Sequence, residues 1–234
     1  MESLGIFAKF PQAGKVKSRL GKTIGYQESA DLYHCFIKDI ITRCSNVADK
    51  RTLCYSPDTI DSSTWFKKLA GDDYDLWLQP EVDLGSRMIS FVQVEFDQQA
   101  DKVVIIGTDS PSLPLHFIEE AFLKLNQADV VIGPATDGGF YLIGFSNSEL
   151  PDLFTVNWSS STVLEETVEI ISQKKLSLDL LSPWYDIDSV DDLQLLHGHM
   201  KAFSKISNYP EMNFTESKLK SLLPEIKNLN KPDK

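Results

Sequence analysis

Val103-Val104-Ile105-Ile106-Gly107-Thr108-Asp109-Ser110-Pro111 is the stretch on which the reading of this chain turns. Four β-branched residues follow one another without a polar alternate, so neither face of the segment is suited to water. Such a run predicts a central strand of a parallel sheet with helices on both faces. Asp109 then stands at the carboxyl end of that strand, the side on which open α/β sheets bind their ligands.

Outward from this strand the pattern alternates. Leu4–Ala8 predicts a first strand, ended by Lys9-Phe10-Pro11, and Gln27–Cys44 has the apolar spacing of a helix. Arg51–Tyr55 and Leu76–Leu78 predict further strands, with a short helix over Trp65–Leu69 and a longer one over Gly85–Gln98. Beyond Asp109, a helix is expected over Leu115–Leu125, strands over Val130–Ile132 and Phe140–Phe145, and helices over Ser161–Gln173 and Ser189–His199. Thr162 and Glu165 have the spacing of a capping box. The last thirty residues predict one helix, Ser217–Asn228, and a loose tail. The expectation is a three-layer α/β/α, Rossmann-like fold with a mostly parallel sheet: one catalytic domain over residues 1–200 and a helical extension over 201–234.

The chain has 234 residues and a net charge of −11, which argues against nucleic acid as a partner. The charge is uneven. Residues 1–22 hold five cations against one acid, a net of +4, so the other 212 residues carry −15. A compact basic segment in an acidic chain points to a local anion site. No apolar run approaches the ~20 residues of a membrane span, and the opening residues lack the pattern of a secretory leader. Cys35, Cys44 and Cys54 are odd in number and have no zinc spacing, so they read as reduced thiols of a cytoplasmic protein.

Five segments carry the candidate chemistry. Lys9-Phe10-Pro11-Gln12-Ala13-Gly14-Lys15-Val16-Lys17-Ser18-Arg19 places four cations within eleven residues with no acid between them. Confining like charges is costly without an anion, and Gly14 permits a tight path around a di- or triphosphate. Gly21-Lys22-Thr23 lacks the earlier glycine of a Walker loop, because position 16 is Val16. Asp109 suits Mg²⁺, which takes one or two carboxylates together with phosphate oxygens and water, or it serves as a helix cap or turn former before Pro111. Asp186 and Asp188 alternate onto one face, where two carboxylates ~4 Å apart repel by roughly 4 kcal/mol at an effective dielectric near 20. A divalent cation would remove that cost, although Asp188 could equally cap the next helix. Asp137-Gly138-Gly139 reads as a hairpin turn first and a ligand turn second. Arg87 falls in the first turn of a helix, a position that usually needs a pairing or functional reason for a cation.

Taken in order, these pieces form a set. It runs Lys9-x-Pro11-x-x-Gly14-x-Val16-Lys17-Ser18-Arg19-Leu20, Asp83-Leu84-Gly85-x-Arg87-Met88 and Gly107-Thr108-Asp109-Ser110-Pro111. It continues through Gly133-Pro134-x-x-Asp137-Gly138-Gly139-Phe140-Tyr141-Leu142-Ile143-Gly144, Trp158-Ser159 and Tyr185-Asp186-Ile187-Asp188. The set resembles the bacterial glycosyltransferase-like family labelled radical-SAM/selenodomain-associated transferases, over about residues 4 to 196. That resemblance implies the GT-A nucleotide-diphospho-sugar transferase fold, and kinship with 2-phospholactate and molybdenum-cofactor guanylyltransferases.

It further implies roles for the matching residues. Lys9, Gly14, Lys15, Lys17, Arg19, Arg87, Gly138 and Gly139 would bind the nucleotide. Asp109, with Asp188 or Asp186, would hold Mg²⁺ or Mn²⁺, and Lys17, Arg19, Asp109 and Asp137 would carry the chemistry. Phe10, Ser18 and Phe140 depart from the residues common in the family. The expected activity is transfer of a nucleoside monophosphate from a nucleoside triphosphate to a small phosphorylated or hydroxyl acceptor. The alternative is glycosyl transfer from a nucleotide sugar. The expected partners are thus a nucleotide and a small molecule, with homodimer formation left open.

Overall fold

The computed structural model describes residues 1–158, 160–206 and 211–229. Its strands are β1 (Glu2–Lys9), β2 (Lys50–Ser56), β3 (Asp75–Leu78), β4 (Lys102–Ile106), β5 (Val130–Pro134), β6 (Phe140–Phe145) and β7 (Leu178–Leu180). They form one sheet in the order β3-β2-β1-β4-β6-β5-β7. The helices are α1 (Ser18–Ile24), α2 (Tyr26–Arg43), α3 (Ile60–Ala70), α4 (Leu84–Asp97), α5 (Leu115–Lys124), α6 (Val163–Gln173), α7 (Val190–Phe203) and α8 (Asn213–Leu229).

The apolar run of four β-branched residues is β4, with Val103, Val104, Ile105 and Ile106 all buried. Its alternating side chains divide the core. Val104 and Ile106 join Phe36, Ile37 and Ile118 on one side, while Val103 and Ile105 join Phe91, Val92 and Ile143 on the other. This is the two-faced burial expected of a central strand. β1 pairs in parallel with both β2 and β4, so the chain steps outward from β1 to β3 and then returns to the other side of β1. That reversal makes the gap between the carboxyl ends of β1 and β4 the topological switch point, where such sheets open a crevice.

β6 runs antiparallel between β4 and β5. Its first residue, Phe140, pairs with Pro134 and therefore lies at the same edge as the carboxyl ends of β4 and β5. The Asp137-Gly138-Gly139 segment is thus the hairpin turn the sequence suggests, and it also rims the crevice.

Several details differ from expectation: β7 is an added strand, α3 begins at Ile60 and α8 at Asn213, each earlier than expected, and three local readings change. The basic segment is not loop throughout: α1 begins at Ser18, directly after Lys17 adopts a left-handed backbone at φ 45° and ψ 45°. Thr162 precedes α6 but makes no capping box with Glu165. Its backbone (φ −98°, ψ 4°) lacks the extended geometry that aims a cap hydroxyl at the N3 amide, and the hydroxyl meets Glu166 at 2.5 Å instead. The box forms at α7, between Ser189 and Asp192, so Ser189 rather than Asp188 caps that helix. The expected tail, residues 230–234, and Ser159 lie outside the described residues.

α8 packs on α2. Asp39 accepts from the amides of Phe214 (3.1 Å) and Thr215 (2.7 Å), and Lys218 pairs with Glu28 (2.7 Å) and Asp31 (3.3 Å). No described helix is long and apolar enough to cross a membrane.

Candidate active site

Three stretches of chain deliver charged side chains to the switch point. The turn after β1 carries Lys17 and Arg19, and the end of β4 carries Asp109. The third is pinned by backbone bonds: Trp184 donates to Pro134 (3.0 Å), Thr136 donates to Trp184 (3.0 Å) and Ile187 donates to Asp109 (3.0 Å). These bonds lay residues 184–188 beside the ends of β5 and β4 and so place Asp186 and Asp188 next to Asp109.

Lys17 is the hub. Its side chain is 3 % exposed, and its ammonium contacts Asp109 and, at 2.9 Å, Asp188. The Tyr33 ring lies 5.9 Å away. Arg19 meets the other oxygen of Asp188 at 2.5 Å from the solvent side, with a side chain 71 % exposed. Burial pulls the Lys17 pKa down, but the two carboxylates more than reverse this and hold the ammonium above the ordinary lysine range. Burial likewise raises the pKa of Asp188, and here Lys17 and Arg19 outweigh it, leaving the carboxyl below its usual value.

Asp186 behaves differently. It accepts from the Ser110 hydroxyl and does not touch the Lys17 ammonium. Burial, reinforced by the nearby charges of Asp109 and Asp137, pushes it up to about 6. Of the two alternating acids it is therefore Asp188 that shares a cation with Asp109.

Two clefts adjoin this cluster. The first, about 280 Å³, is lined by Lys9, Ser56, Gln79, Arg87, Met88 and Asp109, among others. The second, about 300 Å³, is lined by Asp109, Asp137, Gly139, Trp158, Asp186 and Asp188, with Ser160 and Val163. Asp109, Phe140 and Leu84 belong to both, so the clefts meet at Asp109.

In the first cleft Arg87 is held from two sides, by Val82 O (2.7 Å) and Gln79 Oε1 (3.3 Å). Gln79 is in turn anchored on Cys54 O at 2.7 Å. In the second cleft Asp137 accepts from the Gly139 amide at 3.0 Å. Gly138, at φ 94°, lies so close to Ser161 that a Cβ would meet its carbonyl oxygen at 2.1 Å.

Of the residues picked out in the sequence, the structure brings together Lys17, Arg19, Asp109, Asp188, Asp186 and Asp137, with Lys9 and Arg87 on the far wall of the first cleft. Gly14 and Lys15 are exposed on the turn and line neither cleft. Tyr33 was missed: buried on α2, its hydroxyl pairs with Thr108 at 2.6 Å and accepts from the Lys9 amide at 3.3 Å, tying α2 to both β1 and β4. A tyrosine on an otherwise apolar helix face was the available signal, since a buried hydroxyl requires a partner. Gln79 was missed as a lining residue because it stands in an irregular stretch, and Trp158, quoted in the motif set without a role, lines the second cleft.

The two carboxylates already share one cation, so they are close enough for a single ion to touch both. Their donors are all oxygen, the preference of Mg²⁺ and Mn²⁺. Among the described residues no three of His, Cys, Asp and Glu converge as a complete metal cage. Two carboxylates leave the remaining positions to water and phosphate, as is usual for Mg²⁺ sites.

Residues 41–160 match the family described as an uncharacterized protein conserved in bacteria (DUF2064). The fold is that of a Desulfovibrio desulfuricans G20 protein with the provisional name nucleotide-diphospho-sugar transferase: TM-score 0.87 and 33 % identity over 97 % of each chain. A cytidylyltransferase from Leptospira borgpetersenii shares the fold at TM-score 0.55 and 13 % identity, over 100 % of this chain and 98 % of that one. A nucleotidyl transferase from Methanothermobacter thermautotroptrophicus does so at TM-score 0.53 and 12 % identity, over 85 % and 97 %. No curated protein matches in sequence.

Proposed function

The chain belongs to the DUF2064 family of proteins conserved in bacteria, and from that premise we propose that it is a metal-dependent nucleotidyltransferase. An acceptor oxygen attacks the α-phosphorus of a nucleoside triphosphate, the bond to the β-phosphate oxygen breaks, and pyrophosphate leaves. The observation that carries this reading is the meeting of Lys17, Arg19, Asp109 and Asp188 at one point between two clefts. The first cleft takes the nucleoside, with Arg87 on its wall. The second takes the acceptor.

Asp109 and Asp188 would hold Mg²⁺ or Mn²⁺, which supplies charge neutralisation and phosphate orientation when bound. Lys17 and Arg19 stabilise the negative charge that grows on the leaving pyrophosphate, with Lys15 and Lys9 adding to the field around it. Asp137, which lines the second cleft, accepts the proton of the attacking hydroxyl or orients it. Three further carboxylates, Asp109, Asp186 and Asp188, line that cleft, and among the described residues neither lysine nor arginine does, which favours a hydroxyl acceptor over a phosphorylated one.

In this reading residues 1–200 are the catalytic unit and 201–234 an extension. On the same reading the chain is kin to the radical-SAM/selenodomain-associated transferases and the guanylyltransferases. A cytoplasmic setting is supported by the unpaired state of all three cysteines.

The second reading is glycosyl transfer. The name of the relative that is 33 % identical favours it, and here the diphosphate of a nucleotide sugar would meet the same cations. The test is a thermal-shift panel of nucleoside triphosphates and sugar nucleotides, each with and without Mg²⁺ or Mn²⁺. A ligand at 100 times its Kd stabilises by about 2.7 kcal/mol. A metal-dependent shift with a triphosphate, followed by pyrophosphate release on adding a hydroxyl acceptor, supports nucleotidyl transfer. A shift with sugar nucleotides alone, followed by nucleoside diphosphate release, replaces it with glycosyl transfer. No shift with any nucleotide refutes both.

A further inference from the structure

The ammonium of Lys17 sits where the metal would have to sit. It contacts Asp109 and Asp188, the two carboxylates that converge at the switch point, and only 3 % of its side chain is open to water. A divalent cation held by the same carboxylate oxygens would stand against the Lys17 ammonium that already contacts both of them. Like charges this close repel, and burial of the Lys17 side chain shields that repulsion less than open water would, although Asp109 and Asp188 remain partly exposed. The two cations therefore compete. We propose that Lys17 is the resting counterion of the metal site, and that it must give up Asp109 and Asp188 to let a divalent cation in.

This deepens the metal-dependent reading above and rests on it. Lys17 has a destination after displacement: its backbone is fixed at the head of α1, but its four-carbon stem is flexible, and Arg19 flanks the same opening. Phosphate oxygens arriving with the cation would give the ammonium a new anion. Metal alone then binds weakly, because it must uncover a buried ammonium without offering it a partner. Metal and triphosphate together bind cooperatively, because each supplies what the other removes. The arrangement also keeps Asp109 and Asp188 neutralised between turnovers.

The test is Mn²⁺ binding without nucleotide, read from the electron paramagnetic resonance signal of free Mn²⁺, for the wild-type chain and for Lys17→Met. The variant should bind Mn²⁺ more tightly by about tenfold or more, the scale of removing one neighbouring like charge. Equal or weaker binding by a folded Lys17→Met overturns the exchange while leaving a metal site in place. No Mn²⁺ binding by either protein overturns both the exchange and the metal assignment.

Should Lys17→Met fail to fold, the wild-type protein carries the test through amine acylation mapped by mass spectrometry. Lys17 should be unreactive in EDTA and become modified when Mn²⁺ alone is raised to saturation, because no phosphate is then present to receive the displaced ammonium. Unchanged protection of Lys17 under a saturating Mn²⁺ signal overturns the proposal.

Discussion

Replacing Gly138 by alanine should destabilise the protein by about 3 kcal/mol, and the structure separates two causes. The first is conformational: at φ +94° the residue occupies backbone space that costs an L side chain roughly 1–2 kcal/mol. The second is steric. The new Cβ would stand 2.1 Å from the carbonyl oxygen of Ser161 and 2.8 Å from its carbonyl carbon. Both are backbone atoms, which cannot rotate away. The Leu164 amide also donates to Gly138 O at 2.9 Å, so the turn and the start of α6 cannot separate without losing that bond. Overpacking of this kind costs typically ~1–3 kcal/mol. For a chain of this size about 2–4 °C of Tm accompanies each kcal/mol, so Gly138→Ala should melt roughly 6–12 °C lower. Gly14→Ala is the internal control: its φ is +75°, but a Cβ there meets nothing within 4 Å, so only the conformational part applies. Differential scanning calorimetry on both variants checks the reasoning. A Gly138→Ala Tm no lower than that of Gly14→Ala would refute the steric account of the turn that carries Asp137.

Individual contacts give the other expectations. Asp109→Asn should abolish metal-dependent turnover while the circular dichroism spectrum stays native; unchanged turnover in steady-state assays would remove Asp109 from the metal site. Asp39→Ala strips the carboxylate that receives the first amides of α8, and loss of such a cap costs about 0.5–2 kcal/mol. Hydrogen exchange should then accelerate in residues 213–224 ahead of the sheet, and uniform protection would contradict the docking role. Cys44 and Cys54 are buried, and burial pushes the Cys44 thiol up to about 12 and raises Cys54 well above its usual range. Neither should react with a disulfide reagent at pH 8 until the protein unfolds, whereas half-buried Cys35 should react slowly first. Rapid titration of two or more thiols in the native state would contradict the core assignment.

The parts of the fold legible in the sequence were those with a strong local signal. The apolar β4 and the periodic α2 fall within a residue or two of where their patterns put them. β7 was not legible: three residues, Leu178–Leu180, alternate too briefly to be distinguished from a loop, and the strand exists because Val130–Ile132 offers it an edge. The antiparallel direction of β6 was not legible in the strand itself, since Phe140–Phe145 is as apolar as a parallel strand would be; the hairpin reading of Asp137-Gly138-Gly139 carried it. Only the short turn after Pro134, too short for a crossover, held that information. At the site, the acids were visible because their alternation or strand-end position is unusual. The burial of Lys17 was invisible: the sequence presents Lys9, Lys15, Lys17 and Arg19 as one basic run. The structure buries Lys17, leaves Lys9 and Lys15 exposed and holds Arg19 at the rim.

That division has its origin in the place where the sheet reverses direction. β1 and β4 are neighbours because the chain returns across β1 after β3, so the turn leaving β1 must pack against the segment leaving β4. The segment leaving β4 carries an acid, Asp109, joined at its backbone to Ile187 and hence to a second acid at Asp188. Two carboxylates in a partly buried crevice need a cation, and Lys17 is placed to supply it, at the cost of a left-handed backbone at φ 45°. A non-glycine residue in that conformation stores strain and marks a place where the surroundings over-determine the chain. Here the surroundings are the two acids. Asp109→Asn together with Asp188→Asn should therefore release the turn, and backbone order near residue 17, measured by NMR relaxation, should fall in the double variant. An unchanged order parameter there would mean that packing of Val16 and Leu20, both buried, holds the turn without help from charge.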